Sequence, residues 1–136
     1  MNDTSQKNQE KPIPTLVVSR PGIMQQSLRV ILVNLQEINV IAYTGDGLSA
    51  MLQVREHQPG LLVLDHNLLE EEIHALLLAV KGDYPATQCL VIVPSKRMEA
   101  HLTAWGADAV VLRNASPQQL RSALLQLVHE AVQLSK

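Results

Sequence analysis

The sequence predicts an α/β fold in which a parallel sheet is covered by helices on both faces. Five short apolar segments alternate along the chain with five longer segments whose apolar residues recur at helical spacing. The short segments are apolar almost without interruption, which is typical of strands that are buried on both faces. Regular alternation of this kind favours a parallel sheet, because a helix connects each strand to the next.

The five predicted strands are short runs rich in Val, Leu and Ile. They span residues 15–19, 38–43, 61–64, 89–93 and 108–112. Turn residues delimit two of them, since Pro59 and Gly60 precede the third strand and Pro94 ends the fourth.

The five predicted helices fill the segments between and after the strands. They span residues 21–35, 45–58, 70–82, 96–106 and 116–132. The second carries Leu48, Met51, Leu52 and Arg55 on neighbouring turns, and the third begins with three glutamates that favour the positive end of the helix dipole.

The last helix has the clearest start signal. Ser116 is placed as N-cap, Pro117 as the first helical residue and Gln119 as the partner in a capping box. Its apolar residues form more than one narrow stripe, so part of that surface is expected to contact a second copy of the chain.

These elements predict a flavodoxin-like three-layer sandwich with five strands in the order 2-1-3-4-5, the common arrangement for a chain of 136 residues. We expect a flexible polar leader over residues 1–13 and a single domain over residues 14–136. The lone cysteine, Cys89, lies in an apolar strand and is expected to be an inert core thiol.

Composition argues against several classes of partner. The net charge of −2 provides no basic field for nucleic acid, so none is expected. No apolar run is long enough to span a membrane and no secretory signal is visible, which indicates a cytoplasmic protein. The five histidines show no metal-ligand spacing, so no metal site is predicted.

One edge of the predicted sheet collects candidate functional residues. In parallel sheets ligands bind outside the carboxyl ends of the strands, near the point where the strand order reverses. Asp65 would leave the third strand there, and this position favours a functional role over the alternative that the aspartate begins a loop or caps the next helix. The predicted pocket consists of the residues that leave strands 1, 3, 4 and 5: Ser19, Arg20, Asp65, Pro94, Ser95 and Arg113.

Over residues 15–132 the chain resembles the receiver domains of two-component response regulators. Three stretches carry the resemblance: "QPGLLVLDHNL", "YPATQCLVIV" and "WGADAVVLRNASPQQLRSAL". The resemblance implies a role in phosphorelay signal transduction without enzymatic activity, and it places the phosphoacceptor position at Asp65.

The chain departs from this family at most of the other pocket positions. The two acidic residues that hold Mg²⁺ in the family fall on Ser19 and Arg20, and the Thr or Ser of strand 4 falls on Pro94, with a serine next to it. The lysine of strand 5 falls on Arg113, and the switch aromatic falls on Val110. The resemblance therefore indicates a pseudo-receiver with a degenerate phosphorylation pocket.

The formal charge of the predicted pocket supports that hypothesis. Asp65 contributes −1 and Arg20 and Arg113 contribute +2, so the sum is +1 and the pocket should repel a dication. We expect Mg²⁺ binding to be lost or weak and no other cofactor to be present. Arg20 is expected to pair with Asp65 and close the pocket.

Two alternatives remain open from the sequence. The chain could be a functional stand-alone receiver that a histidine kinase phosphorylates on Asp65 in a phosphorelay. It could also be a small anion-binding α/β protein that uses the crevice near Arg20 and Arg113.

If the pocket is inactive, protein–protein interaction is the expected function. The resemblance implies contacts through helix 4, strand 5 and helix 5, with a signalling partner such as a histidine kinase or an output protein, and with a second copy in a homodimer. The interface candidates on this face are Met98, His101, Trp105, Val110 and Arg121.

Overall fold

The computed structural model describes residues 11–134 of the chain. The strands are β1 Ile13–Val18, β2 Ile38–Thr44, β3 Leu61–Asp65, β4 Gln88–Val93 and β5 Ala109–Leu112. The helices are α1 Ile23–Val33, α2 Gly47–His57, α3 Glu70–Asp83, α4 Glu99–Trp105 and α5 Pro117–Leu134, and a 3₁₀ turn, Lys96–Met98, leads into α4.

The five strands form one sheet in the order β2-β1-β3-β4-β5, and every neighbouring pair is parallel. This is the predicted flavodoxin-like three-layer sandwich, so the fold prediction is confirmed. The order reverses between β1 and β3, which places the carboxyl ends of these two strands beside each other.

The sheet separates two layers of core. Leu62 and Leu64 of β3 belong to the layer that α2, α3 and α4 cover, whereas Leu61 and Val63 belong to the layer that α1 and α5 cover. Because both faces are buried, residues 61–64 of β3 are all apolar, and the alternation seen in half-exposed strands is absent.

The element boundaries differ from the prediction at a few places. Strand β1 begins at Ile13, because Ile13 pairs with Ile38 and its N–H donates to the Glu37 carbonyl over 2.9 Å. Strand β3 runs one residue further than predicted and includes Asp65. Most of the expected leader, residues 1–10, lies outside the described residues.

The predicted start of the last helix is confirmed. Gln119 N–H donates to Ser116 Oγ over 3.1 Å, and Ser116 N–H donates to Gln119 Oε1 over 2.9 Å, which completes a reciprocal capping box. Pro117 is the first residue of α5. Cys89 is fully buried, and this burial raises the pKa of its thiol to about 12, so the expected core thiol is confirmed as well.

Of the residues that the sequence placed on neighbouring turns of the second helix, Met51 packs against the core and the two leucines do not. Leu48 is 76% exposed and Leu52 is 53% exposed, whereas the buried residues of α2 are Ala50 and Val54. Small side chains face the sheet here, so the larger leucines remain in solvent. Across residues 11–134, none of the helices is both long and apolar enough to cross a membrane.

Candidate functional site

Asp65 is the centre of the polar cluster at the carboxyl edge of the sheet. It is the last residue of β3 and its exposed fraction is 0%. Its Oδ1 accepts from Arg113 Nη2 over 3.1 Å, and its Oδ2 accepts from Ser19 Oγ over 3.2 Å. Asp65 is therefore neither a loop residue in solvent nor a helix cap, because the N-cap position of α3 is Leu69.

Arg113 reaches Asp65 from the end of β5. Its backbone N–H donates to the Val93 carbonyl over 2.6 Å, which ties the residue to the end of β4. Its side chain is 40% exposed, so the guanidinium covers the buried carboxylate from the solvent side. An arginine in this position supplies a positive charge at a carboxylate and keeps further N–H donors directed to solvent.

Ser19 reaches Asp65 from the end of β1 and is itself fully buried. Its backbone N–H donates to the Thr44 carbonyl over 2.8 Å, and its carbonyl accepts from Gln25 Nε2 over 2.8 Å. Asn67 contacts the same loop, since its Oδ1 accepts from the Arg20 N–H over 3.2 Å. These bonds hold the loop after β1 against the loop after β3.

The expected pairing of Arg20 with Asp65 is wrong. Arg20 Nη2 pairs with Glu72 Oε1 over 3.3 Å, at the first turn of α3. The reason is that the Arg20 side chain is about half exposed and extends along the surface, while Asp65 is enclosed beneath Ser19 and Arg113. The pairing with the buried carboxylate is made by Arg113 instead.

Glu72 joins three loops at this edge. Besides Arg20, its carboxylate accepts from Gly47 N–H over 3.0 Å and from Leu69 N–H over 3.1 Å. The pKa of Glu72 is lowered below its usual value, and the hydrogen bond from Gly47 is the largest cause. The bond from Leu69 and the charge of Arg20 lower the pKa further, whereas partial burial of the carboxylate raises it. From the sequence, this glutamate was expected only to favour the dipole of its helix, and its N3 position in α3 was the one signal for a contact with Leu69.

A surface cleft of about 370 Å³ opens beside Asp65. Two apolar side chains from α1 and three polar side chains line it together with the aspartate: Ile23, Met24, Ser27, Asn67 and Arg113. Pro94 and Ser95, which were expected in the pocket, are exposed and are not among the lining residues. The structure therefore brings together Ser19, Asp65 and Arg113, and leaves the residues after β4 apart.

The donor set at Asp65 does not fit a magnesium site. Mg²⁺ prefers carboxylate, phosphate and water oxygens in octahedral geometry. Here one carboxylate is present, and the guanidinium of Arg113 contacts one of its oxygens. Within residues 11–134, no three His, Cys, Asp or Glu side chains come together as a possible metal site.

The interface candidates fall into two groups. Val110, Met98 and Trp105 are half-buried and pack against the core layer under α2, α3 and α4. His101 and Arg121 are exposed. Trp105 also stacks on the His74 ring of α3, with centroids 4.0 Å apart and planes 14° apart, so part of its surface is used inside the domain.

Solved structures define the class of this architecture. The signal receiver domain of the response regulator NarL from Mycobacterium tuberculosis matches with a TM-score of 0.79 and 17% identity, over 88% of this chain and 98% of that domain. The RcsB response regulator from Salmonella typhimurium, described for its conformational dynamism for DNA interaction, matches with a TM-score of 0.76 and 15% identity, over 92% of this chain and 66% of that one. This chain therefore has the fold of these receiver domains.

Two curated relatives match the sequence of this chain, and both are the same protein from two strains of one species. The chain is 26% identical over 102 residues to the oxygen regulatory protein NreC of Staphylococcus epidermidis, which covers 73% of this chain and 47% of the relative. The chain thus spans about half the length of the curated relatives that it matches. No family model matches the chain.

Proposed function

We propose that this receiver-type domain acts in signal transduction mainly as a protein–protein interaction module that does not depend on phosphorylation. The observation that carries the proposal is the ion pair between Arg113 and the fully buried Asp65. The acceptor carboxylate is enclosed, and its charge is already balanced by a guanidinium.

Charge balance is the physical reason. Phosphoryl transfer to a carboxylate depends on positioning and on positive charge that stabilises the transferring group, which a metal ion largely supplies. The formal charges of Asp65 and Arg113 cancel, so the pair has no net negative charge that would attract a dication. Loss or strong weakening of Mg²⁺ binding is therefore part of the proposal, as is the absence of enzymatic activity.

The proposed partners are other signalling proteins in the cytoplasm, such as a histidine kinase or an output protein. The face formed by α4, β5 and α5 is the proposed contact surface, and His101 and Arg121 provide exposed polar groups on it. Self-association as a homodimer belongs to the same proposal. No nucleic-acid contact is proposed for this chain, because its net charge of −2 provides no general attraction to phosphate backbones.

The test is a titration with Mg²⁺ and beryllofluoride, followed by backbone-amide NMR shifts. Beryllofluoride stands in for the phosphoryl group on an aspartate. We expect no saturable shifts around Asp65, in the wild type or in an Asp65→Ala control. Saturable shifts in the wild type that vanish in the control would contradict the proposal and would support the alternative of a receiver phosphorylated on Asp65.

A second variant shows whether the assay can detect binding. The triple substitution Ser19→Asp, Arg20→Asp and Arg113→Lys restores the residue types that the resemblance places at these positions. We expect this variant to gain Mg²⁺-dependent shifts at the same edge, because three carboxylates would then face one lysine. Equal responses of wild type and variant would mean that these residues do not control metal binding, against the proposal.

A further inference from the structure

The cleft beside Asp65 lies where parallel α/β sheets bind their ligands. It opens at the carboxyl edge of the sheet, next to the point where the strand order reverses between β1 and β3. Its volume of about 370 Å³ is at the lower end of the range that small-molecule sites occupy. The position and the size of the cleft therefore favour a small ligand.

Arg113 provides the accessible charge of this cleft. Asp65 and Arg113 are the charged residues among those that line it, and they lie at different depths. The Asp65 side chain is fully buried, whereas the Arg113 side chain is 40% exposed. A ligand that enters from solvent therefore reaches the guanidinium more readily than the carboxylate, which favours an anion.

Most of the N–H groups of Arg113 can bind such a ligand. A guanidinium has about five donors, and within residues 11–134 the Arg113 side chain donates one hydrogen bond, to Asp65 Oδ1 over 3.1 Å. The planar fork of an arginine binds a carboxylate through two parallel hydrogen bonds. Asp65 thus holds one side of the guanidinium and leaves the other donors to a second carboxylate.

The other charged groups at this edge of the sheet favour an anion with a single charge. They occupy the loops and first helical turns but do not line the cleft: Arg20, Asp46, the three glutamates that open α3, and Lys96, Arg97 and Glu99 after β4. Acids outnumber bases among them, so a multiply charged anion would meet one guanidinium within a mostly acidic surrounding. A single negative charge in direct contact with Arg113 is affected less, because water and salt screen the more distant acids.

One wall of the cleft is apolar. Ile23 and Met24, in the first turn of α1, form this wall, and Ile23 is 84% exposed. Ser27, one turn further along α1, adds a hydroxyl that has no hydrogen-bond partner among residues 11–134. An apolar wall beside a cation suits a ligand that combines one negative charge with an apolar group.

We propose that this cleft binds a small organic monocarboxylate with a short apolar tail. The carboxylate accepts hydrogen bonds from Arg113, with Ser27 as a further donor in the same cleft, and the tail contacts Ile23 and Met24. No covalent bond to Asp65 is formed, so this binding is distinct from phosphorylation and from the proposed protein contacts. The affinity is millimolar, because a ligand with few atoms gains little in a cleft that is open to solvent.

A titration of the full chain with sodium butyrate at constant ionic strength, followed by backbone-amide NMR shifts, tests the site. We expect saturable shifts centred on residues 23–27, Asn67 and Arg113. Butyramide has the same shape without the charge and should cause none, and acetate should bind several-fold more weakly because its tail is shorter. Inorganic phosphate should also bind more weakly than butyrate. Equal or tighter binding of phosphate or butyramide would overturn the proposed class of ligand.

Two glutamate substitutions on α1 separate binding in the cleft from a general effect of charge. Ser27→Glu places a carboxylate at the ligand and should weaken butyrate binding at least about tenfold. Gln26→Glu adds the same charge at a neighbouring exposed residue that does not line the cleft, and screening should keep its effect below about threefold. Equal effects of the two variants, or a wild type without saturable shifts, would contradict the proposed site.

A lysine substitution tests the role of the guanidinium without leaving Asp65 unpaired. Arg113→Lys keeps the positive charge but removes the planar fork, so it should weaken butyrate binding several-fold. Arg97→Lys, at an exposed position outside the cleft, is the matched control and should leave binding unchanged. Butyrate binding that is unchanged in Arg113→Lys and in Ser27→Glu would place the ligand elsewhere and overturn the proposal. Circular dichroism of each variant checks that the fold is retained.

Discussion

The two ends of the β-sheet each hold an aspartate paired with a cation, but they differ in how many hydrogen bonds that cation donates. At the amino end, Lys81 Nζ donates to Asp108 Oδ2 over 2.9 Å and to the carbonyls of Thr87 and Pro85 over 2.8 and 3.3 Å. The same Asp108 oxygen accepts from Cys89 N–H over 2.8 Å. All three donors of the ammonium group have partners.

At the carboxyl end, the fully buried Asp65 accepts from Ser19 and from Arg113, and within residues 11–134 this is the one hydrogen bond that the Arg113 side chain donates. A guanidinium has about five N–H donors, so Arg113 uses few of its donors within the described part of the chain. The comparison separates an ion pair whose cation has a partner for every donor from one whose cation makes a single side-chain hydrogen bond among the described residues. Three substitutions test this difference.

The largest effect is expected at the amino end. Lys81→Ala should lower the free energy of unfolding by about 2 kcal/mol, since it leaves two carbonyls without the lysine donor and Asp108 without its cation. Urea unfolding measures the change, and Lys96→Ala, at an exposed position, is the control. A loss no larger than that of the control would mean that the amino-end network is not the stronger of the two.

Glu72 should show an intermediate, pH-dependent effect. The pKa of Glu72 is lowered in the folded chain, so its stabilisation is present above the unfolded-state pKa and is lost as the pH falls through the folded-state value. Glu72→Gln should therefore cost about 1 kcal/mol at neutral pH and much less near pH ~3.

Unfolding free energies at the two pH values check the Glu72 prediction, with Glu70→Gln as the exposed control on the same helical turn. If wild type and Glu72→Gln differed by the same amount at both pH values, charge on Glu72 would not be the cause of the difference.

The smallest effect is expected at Asp65. Asp65→Asn keeps the shape and removes a buried charge that has few partners, so the free energy of unfolding should change by less than about 1 kcal/mol in either direction. Asp108→Asn is the matched variant at the other end and should cost more. Thermal unfolding of the two variants side by side decides the comparison, and a larger loss at Asp65 would reverse it.

The sequence predicted the architecture well because each of its signals is local. The uninterrupted apolar strands and the capping box of Ser116 and Gln119 depend on residues close together in the chain, and both appear in the structure. The parallel direction of the strands was predicted from the alternation of strands and helices along the chain. The prediction that Asp65 lies at the carboxyl edge of the sheet depended only on where the third strand ends.

The site was harder to predict because it depends on which long side chain reaches which partner. Arg20 and Arg113 have the same side-chain chemistry. Arg113 pairs with Asp65 because the buried carboxylate lies beneath the end of β5, whereas Arg20 pairs with Glu72 at the surface. The role of Glu72 depends on the approach of Gly47 from another loop, 25 residues away in the chain. The stripe of α2 was recognised as helical, but periodicity alone does not tell which face meets the sheet.

The contact between Trp105 and His74 makes the tryptophan an intrinsic fluorescence probe of this part of the domain. Trp105 is the single tryptophan, and its ring stacks directly on an imidazole that belongs to α3 while the indole itself ends α4. Indole emission is sensitive to a stacked imidazole, so a partner that moves α4 away from α3 would change the fluorescence without any label. Binding at the face formed by α4, β5 and α5 could thus be followed in real time on the unmodified protein.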